Sequence, residues 1–270
     1  MKYLNNFNYF THQGLMKEAV DTSIFENYIF NPKNIFETFC SLTQKTYPYG
    51  TEEEVLKWIY IPLQKDEYGN YFIKIGESNT MFTSHFDTAC SKQNPVNLIT
   101  FEKDNDRFIT TDGKTILGAD DKAGVTIMLY MIENKIPGLY YFFIGEERGG
   151  IGSIALASNK NHQNLNGIKK CISFDRRGYT SIITHQLFES CCNDNFADAL
   201  CQEFIKNGIN MQKDDTGIFT DSANFIGIIE NCTNISVGYF NEHSTQEYQN
   251  ISYLEKISQA CLKINWEKLS

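Results

Sequence analysis

Short, continuous apolar runs recur along this sequence and alternate with segments of helical periodicity. Strand-like runs lie at 79–85, 139–145 and 169–175, and apolar residues with helical spacing occupy 121–135. Strands that are apolar on both faces are typical of sheets covered on both sides, because a solvated face would place polar residues at every second position. The pattern therefore predicts an α/β fold, a three-layer sandwich whose mixed, mostly parallel central sheet is flanked by helices.

Further segments extend this alternation over most of the chain. The stretch 97–115 is typical of a hairpin, and the 270 residues suffice to bury one sizeable core without any visible linker. We therefore expect one domain, 1–270, in which the role of segment 1–35 is unclear. Other predicted helices lie at 35–46, 52–60, 195–208 and between Ile251 and Ile264, and other predicted strands at 70–76, 107–113, 180–185 and 233–240.

Composition argues against several classes of partner. The net charge is −9 and the chain has no dense Lys/Arg cluster, so binding to nucleic acid is not expected. No stretch approaches the roughly 18 consecutive apolar residues of a membrane helix, and the N-terminus lacks the features of a secretory signal. The eight cysteines form no C-x-x-C pair and are typical of reduced, mostly buried thiols. We therefore expect a cytoplasmic protein without membrane partners.

Histidines and carboxylates follow several of the predicted strands. "NTMFTS" leads into His85 and Asp87, and "YYFFIG" leads into Glu146 and Glu147. In open α/β sheets, ligands bind beyond the carboxyl ends of the strands, so segments remote in sequence can deliver these groups to one place. Asp175 and His243 also follow strands, and Asp120 precedes a helix in "GADDKAG".

Two histidines with several carboxylates are the residue types of a metal site. Each element alone has a plainer interpretation: a local pair at His85, a capped helix start at Asp120, or a salt bridge between Asp175 and Arg176. Their joint occurrence at the same end of the strands favours the metal site. Because positions i and i+2 of a strand face the same way, Asp87 can fix the tautomer of His85 while the other ring nitrogen binds metal.

Five motifs, in this order, resemble the metal motifs of the co-catalytic di-zinc exopeptidases: His-x-Asp, "GADDKAG", "GEERGGIGS", "SFDRRG" and a late histidine after a strand. That superfamily includes bacterial aminopeptidases, peptidase T and carboxypeptidase G, and its fold is the phosphorylase/hydrolase-like sandwich. The resemblance implies two Zn²⁺ ions, although Co²⁺ and Mn²⁺ also suit such ligands. It implies His85 and Asp175 on one ion, Glu147 and His243 on the other, and Asp120 between them, with a cis Asp120–Asp121 peptide.

The resemblance also implies roles in catalysis. Glu146 would be the general base that takes a proton from the bridging water as it attacks the carbonyl and passes it to the leaving amine. The segment 214–227 resembles a stretch that lines the substrate cleft, so Asp221 and Ser222 are candidate substrate contacts, with a solvated turn as the alternative. Tyr239 is a candidate donor to the oxyanion, with a place in the core as its alternative.

The peptidase T branch carries a lid domain between its last Asp ligand and its last His ligand. Here the interval from Asp175 to His243 must already hold a strand, a helix and the final strand, so we expect no lid, and a monomer or an oligomer not formed through one. The expected function is that of an aminopeptidase acting on short peptides. An N-acyl amino acid amidohydrolase or carboxypeptidase, and a catalytically silent binding module, are the alternatives.

Overall fold

A mixed eight-stranded sheet lies at the centre of the computed structural model, which describes residues 4–10, 16–20, 34–159 and 162–269. The strands are β1 Leu4–Phe10, β2 Met16–Val20, β3 Gln64–Lys65, β4 Tyr71–Ile75, β5 Thr80–His85, β6 Leu98–Lys103, β7 Asp106–Thr111, β8 Gly138–Phe143, β9 Lys170–Arg176, β10 Ser181–Ile183, β11 His185–Gln186, β12 Glu189–Ser190, β13 Gln212–Asp214, β14 Asn231–Ser236, β15 Tyr239–Phe240 and β16 Tyr248–Asn250. The helices are α1 Ile35–Leu42, α2 Ala119–Glu133, α3 Ile151–Ser158, α4 Asp194–Lys206 and α5 Ile251–Cys261. Short 3₁₀ helices lie at Glu52–Trp58, Glu146–Arg148, Gln163–Leu165, Asp221–Phe225 and Trp266–Lys268.

The strand order of the central sheet is β13-β10-β14-β9-β5-β8-β4-β3. Its four middle strands, β14, β9, β5 and β8, run parallel. At one edge β4 pairs antiparallel with both β8 and β3, and at the other β10 pairs antiparallel with β14 and parallel with β13. Every residue of β5 and β8 is buried, as the continuous apolar runs predict. Helix α2 packs on β5 and β9 and is itself covered by α1 and α5. The predicted α/β fold class is therefore confirmed.

A second sheet, which the sequence did not predict, is antiparallel and has the order β1-β2-β6-β7-β16-β15. The hairpin expected at 97–115 forms β6 and β7, but these strands also pair with β2 on one side and β16 on the other. Of the segment 1–35, β1 and β2 join this sheet, while 1–3, 11–15 and 21–33 lie outside the described residues.

Local differences from the predicted elements have identifiable causes. Within the stretch 52–60, Glu52–Trp58 forms a 3₁₀ helix rather than an α-helix. It ends with an i to i+3 hydrogen bond from the amide of Ile59 to the carbonyl of Leu56. Helix α3 was not predicted, since its start is rich in glycine. Gly149 and Gly150 take left-handed φ values of 86° and 75° just before the helix begins, a conformation that glycine adopts readily.

The central sheet places three of the predicted polar residues at the ends of its parallel strands: His85 closes β5, Glu146 follows β8, and Asp175 lies near the end of β9. His243 follows β15, which belongs to the second sheet. Asp120 lies at the start of α2, which packs on β5 and β9. Across the described part of the chain, no helix combines the length and the apolar character needed to span a membrane.

Candidate metal centre

His85 and Asp87 form the buried base of the centre, with 1% and 0% of their surface exposed. Nδ1 of His85 lies 3.2 Å from Oδ1 of Asp87. The two oxygens of Asp87 also accept the backbone N–H groups of Glu146 at 3.0 Å and Glu147 at 3.1 Å. Burial alone would raise the pKa of Asp87, but the bond to His85 and the charge of Lys122 hold it below its usual value. One carboxylate thus orients the histidine ring and fixes the loop that carries both glutamates.

Asp120 lies between the two histidines. Its Oδ1 is 3.1 Å from Nε2 of His85, and its Oδ2 is 3.1 Å from Nε2 of His243. The same nitrogen of His243 lies 3.1 Å from Oε1 of Glu147. The Asp120–Asp121 peptide is cis, as the resemblance implies. A carboxylate with one histidine at each oxygen has the arrangement of a ligand shared by two cations.

Asp175 is held by hydroxyl groups from two different elements. Its Oδ1 lies 3.8 Å from Nε2 of His85 and accepts the hydroxyl of Tyr239 at 3.0 Å, while its Oδ2 accepts that of Thr220 at 2.6 Å. The side-chain amide of Asn234 bonds to both the backbone N–H and the carbonyl of Asp175, each at 2.8 Å. Burial and the neighbouring carboxylates raise the pKa of Asp175 well above its usual value.

The donor atoms present fit divalent metal ions. Ligand atoms of His85, Asp120 and Glu147 lie within 4.8 Å of one another, and so do those of His85, Asp121 and Asp175. Oε1 of Glu147 is buried and, although Nε2 of His243 lies 3.1 Å away, it accepts no well-aligned hydrogen bond, which is unfavourable for a carboxylate oxygen unless a cation occupies its lone pairs. Imidazole nitrogen with carboxylate oxygen is a donor set that suits Zn²⁺, Co²⁺ and Mn²⁺.

Glu146 faces a cavity of about 210 Å³ beside these ligands. Burial raises the pKa of Glu146 well above its usual value, and the charges of Asp221, Asp120 and Glu147 add to this effect. A raised pKa makes the carboxylate of Glu146 a stronger base, as proton transfer in general acid–base catalysis requires. The cavity is also lined by Asp120, Asp175, Arg176, Arg177, Ile183, Gln186, Gly217, Ile218, Phe219, Asn234, Tyr239, Glu242 and His243.

The three predicted substrate contacts lie in different surroundings. Asp221 is 1% exposed and accepts the hydroxyl of Ser153, and burial raises its pKa to about 7. Ser222 is fully buried, accepting from Gln186 and donating to the carbonyl of Thr233. Neither is among the described residues that line the cavity. Tyr239 does line it, with its hydroxyl donated to Asp175.

Two charged residues support the centre, and the sequence did not identify them. Lys122 is 1% exposed and donates from Nζ to the carbonyls of Phe86 at 2.6 Å and Asp87 at 3.3 Å, and burial lowers its pKa. Glu247 accepts the backbone N–H groups of Gly118 at 2.8 Å and Asp120 at 3.0 Å. A lysine directly after two acids at the start of α2 is a signal that could have indicated the first.

Asp121 is a third charged residue at the centre, and the sequence did not place it among the ligands. Its Oδ2 accepts the hydroxyl of Ser84 and, at 3.3 Å, the backbone N–H of His85, and its Oδ1 accepts the N–H of Gly124 at 3.1 Å. Burial raises its pKa well above the usual value. These bonds anchor the start of α2 to the end of β5.

Sequence similarity to known proteins covers only part of the chain. No protein-family model matches it. The uncharacterized protein YqjE of Bacillus subtilis (strain 168) is 32% identical over 157 residues, which are 47% of this chain and 40% of that protein. The chain thus matches less than half the length of this curated relative.

Solved structures match over most of the chain. Aminopeptidase PepT from Bacillus cereus ATCC 10987 superposes with a TM-score of 0.70 at 18% identity, covering 89% of this chain and 99% of that one. A tripeptidase from Staphylococcus aureus gives 0.68 at 18% identity, with coverages of 88% and 99%. The TET1 peptidase of Pyrococcus horikoshii, which can assemble into a tetrahedron or a large octahedral shell, gives 0.63 at 18% identity, with 87% and 100%. The chain therefore has the fold of these peptidases, and its resemblance to the co-catalytic zinc exopeptidases is confirmed at the level of the fold.

Proposed function

We propose that this chain is a metal-dependent exopeptidase, an aminopeptidase that removes N-terminal residues from short peptides. The observation that carries the proposal is the position of Asp120, whose two oxygens lie 3.1 Å from Nε2 of His85 and 3.1 Å from Nε2 of His243. The peptidase fold and a proton-accepting glutamate at the adjoining cavity support it.

The residues that would hold two ions surround Asp120. His85 and Asp175 would bind one ion, Glu147 and His243 the other, and Asp120 both. Asp121 lies close enough to His85 and Asp175 to add charge to the first. Zn²⁺ is the proposed metal, with Co²⁺ and Mn²⁺ suited to the same ligands. When bound, such ions polarise a scissile carbonyl and lower the pKa of water.

Glu146 carries the proton transfers in this proposal. It takes a proton from the attacking water and delivers it to the leaving amine, which its raised pKa favours. Asp87 keeps Glu146 in place through the bond to its backbone N–H. Tyr239 donates its hydroxyl to Asp175, so a role as oxyanion donor would require that bond to break. We therefore assign Tyr239 to the positioning of Asp175.

We also propose that the chain works as one domain without a lid. Between Asp175 and His243 the described residues form β10 to β15 and α4, of which β10, β13 and β14 belong to the central sheet. All eight cysteines are free thiols, and seven of them are buried. This supports a reducing compartment, and we propose the cytoplasm.

Metal content by mass spectrometry, paired with hydrolysis assays, tests the function. Wild-type protein should bind zinc and cleave Leu-Gly-Gly, whereas its N-acetylated form should resist because an aminopeptidase needs a free amine. Faster cleavage of the blocked peptide would favour the amidohydrolase or carboxypeptidase alternative.

The variant Glu146→Gln tests the proton carrier. It should retain the metal and lose at least about 100-fold in kcat, the lower end of what a general base contributes. The exposed Glu133→Gln, on α2, is the matched control and should keep full activity. Unchanged turnover by metal-loaded Glu146→Gln would refute the assignment.

A further inference from the structure

The turn between β11 and β12 carries two bulky apolar residues in an unusual conformation. Leu187 and Phe188 are its central residues, with left-handed φ values of 51° and 66°. Two-residue hairpin turns with both central residues at positive φ strongly prefer Asn-Gly, because larger side chains are strained there. Phe188 is fully exposed (103%) and Leu187 is 48% exposed in the described part of the structure. Such strain and exposure are typical of ligand-binding sites.

This turn is joined to the wall of the cavity at Glu146. The backbone N–H of Leu187 donates to the carbonyl of Ile218 at 2.8 Å, and Ile218 both lines the cavity and is 76% exposed. Gln186, at the end of β11, lines the cavity as well. The exposed apolar residues Leu187, Phe188 and Ile218 are called the apolar rim below; Ile218 lines the cavity, and the turn with Leu187 and Phe188 is bonded to it.

The close packing of the loop before Ile218 fixes this arrangement. A Cβ atom on Gly217 would lie 2.3 Å from the carbonyl oxygen of His185 and 2.3 Å from Cγ2 of Ile183, so only glycine allows the loop to approach the hairpin so closely. Inside the cavity, the apolar surface continues with Ile183 and Phe219.

We propose that the apolar rim binds a large apolar side chain of the peptide substrate on the far side of the scissile bond. This inference rests on the proposed function for the position of that bond. The cavity of about 210 Å³ is smaller than pockets that enclose whole drug-sized ligands, which begin at about 300 Å³, so a tripeptide must extend beyond it. The apolar rim offers the third residue of the tripeptide an apolar surface. The charged part of the cavity wall, formed by Arg176, Arg177 and Glu242, does not offer one.

Peptide binding to a protein that cannot turn over tests the inference. Two metal-loaded proteins are titrated calorimetrically with Leu-Gly-Phe and with Leu-Gly-Gly. The parent carries Glu146→Gln alone, and the rim variant carries Leu187→Asn and Phe188→Gly in addition. The parent should bind Leu-Gly-Phe about tenfold more tightly, roughly half of what full burial of a phenylalanine provides. The rim variant should bind both peptides equally, with its affinity for Leu-Gly-Gly unchanged.

Two controls exclude a general effect on the fold. Asn-Gly suits the left-handed turn, so the rim variant should unfold at the same or a higher denaturant concentration than the parent. Ile205→Asn, an exposed apolar residue of α4 (43%), should leave the tenfold preference intact.

Several outcomes would overturn the inference. These are a parent that binds neither peptide or both equally, and a rim variant that keeps the preference. A rim variant that only converts a dimer to a monomer in sedimentation experiments would assign the rim to a second copy of the chain instead. The wild-type protein could also cleave neither peptide while the rim variant still abolishes the preference for Leu-Gly-Phe. That result would support the apolar rim as a binding site and refute the proposed peptidase function.

Discussion

Removing one hydroxyl group from Tyr239 should weaken metal binding while leaving the sheet intact. Asp175 accepts that hydroxyl at 3.0 Å on Oδ1 and the hydroxyl of Thr220 at 2.6 Å on Oδ2. These bonds fix the carboxylate beside Nε2 of His85, 3.8 Å away. Tyr239→Phe keeps the ring, which is 3% exposed, and removes only the donor to Oδ1.

The magnitude follows from the charge of the acceptor. A hydrogen bond to a charged group contributes about 1.5–3 kcal/mol, and loss of a partner that orients a metal ligand weakens metal affinity by about 10–100-fold. Part of the bond's free energy is already present without metal, so we expect the lower end, about tenfold or 1.4 kcal/mol. Competition between the protein and a chromophoric chelator for Zn²⁺ measures this directly.

A second tyrosine, partly buried, provides the control. Tyr253 donates its hydroxyl to the carbonyl of Tyr179 at 2.6 Å, away from the metal ligands. Tyr253→Phe should lower the free energy of unfolding by about 1 kcal/mol and leave zinc affinity unchanged. Equal zinc affinity in Tyr239→Phe and wild type would refute the conclusion that this hydroxyl positions Asp175.

Three further variants test buried charges and close packing. Lys122→Met removes a buried donor to two carbonyls and should lower the free energy of unfolding by about 3 kcal/mol in urea titrations. Its control is Lys114→Met, at a side chain that is 79% exposed, which should change that free energy by less than about 1 kcal/mol. Gly152→Ala would place a Cβ 1.9 Å from Oδ1 of Asn70 and should lower the free energy of unfolding by about 2–3 kcal/mol. Gly149→Ala should lower it by about 1 kcal/mol, because space is open there and only φ (86°) is unfavourable. Burial raises the folded-state pKa of Glu52, so the folded state holds a proton that the unfolded state releases, and stability falls as pH rises through that window. Glu52→Gln should therefore stabilise the protein at pH 8 and have little effect at pH 4; a constant difference across this range would contradict the linkage.

The sequence predicted the central sheet because its strands are buried on both faces. The runs that end at His85 and Glu146 are continuous apolar segments, and all residues of β5 and β8 are buried. The second sheet could not be found this way, because β7 pairs with β16. Strand β16, Tyr248–Asn250, lies far along the chain from β7 and has only three residues. Local periodicity carries no information on such pairing.

The candidate site was predictable where it depends on strand ends, and not where it depends on side-chain contacts. His85, Asp120 and Glu147 come together as their positions at the end of β5, at the start of α2 and after β8 require. The position of Tyr239 against Asp175 depends on a hydrogen bond between residues far apart in sequence. The same is true of Glu247, which reaches the backbone at Asp120 from beyond β15.

Anomalous diffraction at the zinc absorption edge, on crystals of zinc-loaded protein, would locate the ions themselves. We expect two peaks, one on each side of the Asp120 carboxylate, the first beside His85 and the second beside His243. A single peak between the two histidines, or no peak at Asp120, would contradict the proposed two-ion centre.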